Sequence, residues 1–161
     1  MRCYHLNNMY LSSIQQGIQS AHAQMELFVK YVDPTPRKEM LYDWGKNHKT
    51  MIVLNGGFLS DMGVALEFFN HPENPYPFAP FYESEEALGG ILTNIAIVLP
   101  EKSYKLSEYL RNRVLDDNLA VNQILTPDLA TEVYEFLDAN PSFSDFEIEL
   151  AKFMNKFRLA S

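Results

Sequence analysis

The chain has 161 residues, 47% hydrophobic and 13% aromatic, enough for one domain with a real core and a helical appendage, and too apolar for a disordered chain. Its formal charge of −8 is spread along its length: residues 1–100 carry ten Asp/Glu against six Lys/Arg, residues 101–161 carry eleven against seven, and no Lys or Arg lies between Thr50 and Glu101. Neutralising phosphates with basic side chains supplies most of the affinity for nucleic acid, so this balance disfavours extensive nucleic-acid binding and leaves room for a compact phosphorylated ligand.

Arg2–Asn7 (RCYHLN) reads as an opening strand. It holds Cys3, the only cysteine, which rules out an intrachain disulfide and a thiolate metal cluster. Ser12 or Ser13 offers an N-cap, and Ile14–Val32 follows helical spacing. Asp33–Pro36 (DPTP) breaks that helix, because each proline disfavours helix in the residue before it. Arg37–Lys46 reads as a second short helix, with Met40, Leu41 and Trp44 on one face. Thr50–Asn55 (TMIVLN) is an apolar run closed by Gly56-Gly57, the pattern of a buried strand and a turn. Ser60 is expected to cap a third helix over Asp61–Asn70, with Met62, Ala65, Leu66 and Phe69 as its buried face. His71–Pro80 contains four prolines and reads as an extended loop, Phe81–Glu83 as a short strand, and Thr93–Leu99 (TNIAIVL) as a second strong strand closed by Pro100.

This order predicts a three-layer α/β sandwich over residues 1–100, built on a small mixed four-stranded sheet, followed by an all-helical extension over residues 101–161. Helices are expected over Ser103–Val114, Pro127–Asn140 and Ser144–Phe157. Thr126-Pro127-Asp128 is a start signal, and Ser144 with Glu147 fits a capping box. Two apolar stripes, Leu129/Val133/Phe136/Leu137 and Phe146/Leu150/Phe153/Met154/Phe157, must be buried on the α/β core or on a second subunit, so a homodimer or higher homo-oligomer is expected. No segment approaches the roughly 20 apolar residues of a membrane span, so a cytoplasmic protein without a membrane partner is the expectation.

Most chemical signatures are missing. Gly56-Gly57 and Gly89-Gly90 are lone pairs that suit turns, and no phosphate-loop or dinucleotide motif surrounds them. His5, His22, His48 and His71 lack metal-ligand spacing, and no nucleophile elbow occurs, so neither a metal nor a cofactor is expected. Glu83, Glu85 and Glu86 read as a solvated acidic loop or, less simply, a paired-acid site. In the first helix, Gln15, Gln19, His22 and Glu26 share one stripe and Ile14, Ile18, Ala21, Met25 and Phe28 another. Glutamine and neutral histidine both donate and accept hydrogen bonds, so the polar stripe either lines a site for a polar ligand edge or is a wetted surface.

The motif order resembles the type-two peptidyl-tRNA hydrolases, in particular a divergent bacterial and phage branch. That family's first helix has the form GKxAAQxxHA; here Gln15–Ala23 reads QQGIQSAHA and keeps Gln19, His22 and Ala23. The phage-type pattern SxxQQ(A/G)(V/I)Q…HA matches Ser12–Ala23, Trp44 followed by TMIVLN resembles the family's tryptophan helix and second strand, and Phe81–Pro100 resembles its last strands. The resemblance covers residues 1–100. It implies a dimer and a cleft at the start of the first helix, in which Gln15, Gln19 and His22 read polar edges, Tyr10 and Tyr82 stack on a base, and Glu83, Thr93 and Asn94 close the far side.

The departures bear on the reaction. The helix-entry lysine of the hydrolases is Gln15 here, and an Arg-x-Asp is Leu6-Asn7-Asn8. Glu83 and Thr93 occupy the positions of the family's acid and strand threonine. Losing one charged donor to a developing oxyanion costs about 2–4 kcal/mol of barrier. The resemblance therefore implies a non-hydrolytic binder of a small, nucleotide-like ligand, in a phage setting one that sequesters a host nucleotide signal. The alternatives are an active peptidyl-tRNA or related ester or amide hydrolase using Gln15, Glu83 and Thr93, and a structural or interaction protein.

Overall fold

The computed structural model describes residues 1–113, 135, 139 and 142–160. It divides into two compact units, residues 1–100 with 157–161 and residues 101–156.

The first unit is an α/β sandwich whose elements are β1 (Arg2–Asn7), α1 (Ser13–Lys30), α2 (Pro36–Asp43), a π-helical turn (Trp44–His48), β2 (Met51–Asn55), α3 (Leu59–Phe69), β3 (Phe78–Tyr82), α4 (Glu85–Leu88), β4 (Leu92–Leu99) and β5 (Arg158–Leu159). The sheet is mixed, in the order β3-β4-β1-β2-β5. β1 runs parallel to β2 and antiparallel to β4, and β3 and β5 pair antiparallel with β4 and β2. The sheet thus has five strands where the sequence predicted four. The fifth is a two-residue return of the chain to the β2 edge, far too short to leave a period in the sequence.

Register sorts the side chains into two faces. Cys3, His5 and Asn7 stand opposite Val98, Ala96 and Asn94 on one, and Leu6 stands opposite Ile95 on the other. The first face is covered by α1, α2 and the π turn, with Cys3, Ala96 and Val98 packed in one cluster with Ala23, Leu27, Leu41 and Trp44. The second is covered by α3, whose Met62, Ala65 and Phe69 are buried and whose Phe69 ring meets Phe78 at 6.2 Å. Helices on both faces make three layers.

Local chemistry sets the boundaries. Thr35 caps α2 and Pro36 takes its first position. The Trp44 indole N–H donates to Thr50 O at 3.0 Å, which ties the π turn to the start of β2. α3 starts earlier than predicted: its N-cap is Phe58, whose amide donates to Asp61 Oδ2 at 2.8 Å, so Asp61 makes the cap contact and Ser60 lies within the helix. β3 takes in the end of the proline-rich segment, including Pro80, because an edge strand can accommodate a missing donor. Glu83 falls outside that strand. Glu85 and Glu86, expected in a loop, form the first turn of α4, capped by Ser84.

In the second unit, α5 (Glu101–Arg113) and α6 (Asp145–Met154) pack through Leu106, Leu110 and Ala151. The Ser144/Glu147 capping box forms, with bonds of 3.1 and 2.8 Å. α6 ends at Met154, and Phe157 belongs to the first unit. Phe146, Leu150, Phe153 and Met154 are buried within the single chain. Apart from Glu135 and Ala139, the helix predicted over Pro127–Asn140, with its start signal and its stripe Leu129/Val133/Phe136/Leu137, lies outside the described residues, as does Val114. No helix among the described residues is long and apolar enough to cross a membrane.

Candidate functional site

α1 is the scaffold of the site, and it is rotated so that its most apolar row faces outward. Gln19, Ser20, Ala23 and Leu27 are buried, whereas Ile14 is 78% and Met25 65% exposed. The sheet explains the inversion. Beneath the second half of α1 the strands offer Cys3, Ala79, Ala96 and Val98, which suit Ala23, Leu27 and Tyr31. Beneath its first half they offer Asn7 and Asn94, which demand polar partners. The stripe of Gln15, Gln19, His22 and Glu26 is the flank between the two faces: Gln19 is buried and the other three are exposed.

Gln19 ties β4 to the residue that follows β3. Its amide nitrogen donates to Glu83 Oε2 at 2.8 Å, and its carbonyl accepts from the Thr93 hydroxyl at 2.9 Å. Thr93 is turned toward α1 by a β-bulge. Phe81 pairs with Asn94 and Tyr82 with Leu92, so Thr93 is the extra residue of β4. The Thr93 hydroxyl also lies 3.3 Å from Phe81 O. Glu83 Oε1 accepts from the Ser84 amide at 2.9 Å. That bond first, and the Gln19 bond second, hold the Glu83 carboxyl below the usual carboxylate range, so it is ionised near neutrality. Glu83 is nevertheless partly exposed, and an ionised carboxylate has more acceptor capacity than two donors fill. Exposed His22 packs its ring on Phe81 at 4.7 Å, and Tyr82 is 51% exposed. Among the described residues, no lysine or arginine bonds to Gln19, Glu83 or Thr93.

The other predicted residues sit elsewhere. Gln15 belongs to the α1 capping box: its carbonyl accepts from the Ser12 amide at 2.9 Å and its own amide donates to Ser12 Oγ. Tyr10 is 77% exposed and packs on Phe58, 5.0 Å between ring centroids. Asn94 lies behind the site, wholly buried. There it joins a buried relay with Cys3, His5, Asn7 and Ser20, a group that no motif in the sequence marks. The His5 ring lies 3.4 Å from Cys3 Sγ through Nε2 and 3.2 Å from Asn94 Oδ1 through Nδ1. Asn94 Nδ2 donates to Asn7 Oδ1 at 2.8 Å and to Ser20 Oγ at 3.3 Å, Asn7 Nδ2 donates to Ser20 Oγ at 3.1 Å, and Ser20 Oγ donates to Gln16 O at 2.7 Å. Asn94 Oδ1 can only accept, so His5 donates at Nδ1, and accepting the thiol proton at Nε2 then requires a neutral ring. Burial enforces it: the His5 pKa is pushed down to about 4, and the Cys3 thiol is pushed up. A signal for this relay was available in the alternation of Cys3, His5 and Asn7 along RCYHLN, which puts all three on one face.

Among the described residues no three His, Cys, Asp or Glu side chains converge as a metal site would need. No protein-family model matches the chain, and no curated protein matches it.

Proposed function

We propose that the chain binds, without hydrolysing it, a small nucleotide-like ligand at Gln19, Glu83 and Thr93, on a fold that resembles the peptidyl-tRNA hydrolases. The observation that carries this reading is the state of Glu83: ionised, partly exposed and aimed by two donors, one of them an amide that Thr93 locks in place. A carboxylate accepts and does not donate, so the ligand edge that meets it carries N–H groups, as guanine does at N1 and N2. The exposed rings of Tyr82 and His22 offer a base a stacking surface. A depressed pKa makes Glu83 a poor general base at neutral pH, which favours holding over cleaving. In a phage and in the cytoplasm, such a protein would sequester a host nucleotide signal.

The experiment is mass spectrometry of small molecules released from the purified chain and from Glu83→Gln. The reading expects a purine-bearing compound from the first and its loss from the second; identical profiles would count against it. Hydrolysis is the second reading, favoured by the fact that one side chain, Gln19, bridges Glu83 and Thr93. It expects release of tRNA from peptidyl-tRNA by the wild-type chain and none by Glu83→Gln.

A further inference from the structure

One flank of α1 faces β3 from Gln19 to the end of the helix. Gln19 donates to Glu83, just past β3; the His22 ring packs on Phe81; and the Lys30 ammonium donates at 2.9 Å to Phe78 O, where β3 begins. Glu83 thus stands at one end of this flank and Lys30 at the other, about 16 Å apart whether reckoned along the helix or along the strand.

Lys30 has a second cation beside it. The Arg37 guanidinium, in the first turn of α2, donates to Asn74 O, so two cations are tied to carbonyls of one short segment, Asn74 and Phe78. Among the described residues neither is paired with a carboxylate, in a chain of formal charge −8. Acids were at hand. Glu26 precedes Lys30 by one helical turn, the favourable order for an ion pair, Asp33 lies between the two cations in sequence, and Glu73 precedes Asn74. Lys30 instead lies over the Phe78 ring, 3.9 Å from its centroid. Burial first, and the Arg37 charge second, pull the Lys30 ammonium below the ordinary lysine value, so the two cations sense each other. The place of Arg37 is unfavourable too, since the dipole in the first turn of a helix opposes a cation. Neutral donors would bond the same two carbonyls without these penalties; an anion between the cations offsets them.

We propose that Lys30 and Arg37 hold the phosphates of the ligand whose base meets Glu83, an inference that rests on the reading above for the base and on the two cations for the phosphates. The ammonium has donors beyond the one that Phe78 takes, and the guanidinium fork matches phosphate oxygens. Glu26, exposed between the two ends, repels phosphate, so the charge of the ligand lies beyond it, at Lys30. A span of about 16 Å suits a nucleoside bearing a chain of phosphates rather than a single one. It also reconciles a phosphorylated ligand with a site at which no lysine or arginine bonds Gln19, Glu83 or Thr93 among the described residues.

Isothermal titration of inorganic triphosphate into the full chain at low salt tests the cations by themselves. The expected result is saturable binding, the same in the wild type and in Glu83→Gln, that Arg37→Gln and Lys30→Gln each weaken by about tenfold or more. Lys46→Gln, which removes the same charge from an exposed position in the π turn, leaves it unchanged. Circular dichroism checks each fold; Tyr31 Oη also donates to Phe78 O, at 3.0 Å, so Lys30→Gln leaves that carbonyl bonded. Guanosine and guanosine triphosphate then join the two ends. The wild type binds the triphosphate more tightly than the nucleoside, and Arg37→Gln removes that gain while binding guanosine as the wild type does. No binding of inorganic triphosphate, or binding that Arg37→Gln and Lys30→Gln leave intact, would overturn the proposal. Failure of guanosine to bind, with inorganic triphosphate still bound through Lys30 and Arg37, would count against the base reading and leave the phosphate site standing.

Discussion

The two faces of the sheet are built on opposite principles. On the α3 side, Leu6, Ile95, Ile97, Phe78, Met62 and Phe69 make a hydrocarbon layer whose stability rests on volume. On the α1 side the layer is split: an apolar half from Cys3 to Val98, and a polar half in which His5, Asn7, Asn94, Ser20 and Gln19 are buried. No buried side-chain nitrogen or oxygen among the described residues lacks a partner. Polar burial is tolerated there because every group is bonded, and it fixes α1 at one rotation and height. A helix held by shape could slide or roll; a helix held by a directed relay cannot, and that immobility places Gln19 between Glu83 and Thr93.

The contrast can be broken from either side. The largest effect is expected from Phe69→Ala in the hydrocarbon layer, which should cost about 3–5 kcal/mol in urea unfolding, the range for removing a buried aromatic. Asn94→Leu keeps the volume but strands His5, Asn7 and Ser20. It should cost about 2–4 kcal/mol, and it should disturb the proposed nucleotide binding where Phe69→Ala in a still-folded population does not. A loss much smaller than this would mean that the relay is dispensable.

Acid should find the polar half first. His5 binds a proton near 6.5 when unfolded but only near about 4 when folded. Between those values the unfolded state holds more protons, so this contribution is fully present above the unfolded pKa and is lost as pH falls through the window. The loss is about 3 kcal/mol, readable in denaturation curves at stepped pH, and His5→Gln should flatten that slope. The smallest effect is local. Ser12→Ala removes the N-cap acceptor of α1 and should cost about 1 kcal/mol, seen as fraying of the first turn in hydrogen exchange.

The elements of the sandwich were legible where period and punctuation agreed. TNIAIVL and MIVLN are continuous apolar runs ended by proline or a glycine pair, and both are strands. The Ser12 cap and the Ser144/Glu147 box mark helix starts correctly. Capping by Ser60 misled because the helix starts two residues earlier, with Phe58 as N-cap and its amide taken by the Asp61 carboxylate reaching back from the third helical position. The rotation of α1 was not legible. Hydrophobic periodicity finds the apolar row but not which side meets the sheet, and here the sheet face beneath α1 carries asparagine and histidine. The geometry of the candidate site was legible in part: Gln19, Glu83 and Thr93 converge, but Gln15 serves the cap, and Asn94 serves the relay. The bulge that turns Thr93 inward is a register shift between strands, which no single strand's sequence contains.

The claim on which the account rests is that a fixed, ionised Glu83 holds a donor-bearing base. Isothermal titration of guanosine and adenosine nucleotides, linear and cyclic, into the wild-type chain and into Glu83→Gln measures it most directly. The account predicts saturable heat with the wild type for a guanine-bearing nucleotide and its loss in Glu83→Gln at an unchanged melting temperature. Heat of equal size from both proteins, or none from the wild type with any nucleotide, would contradict it.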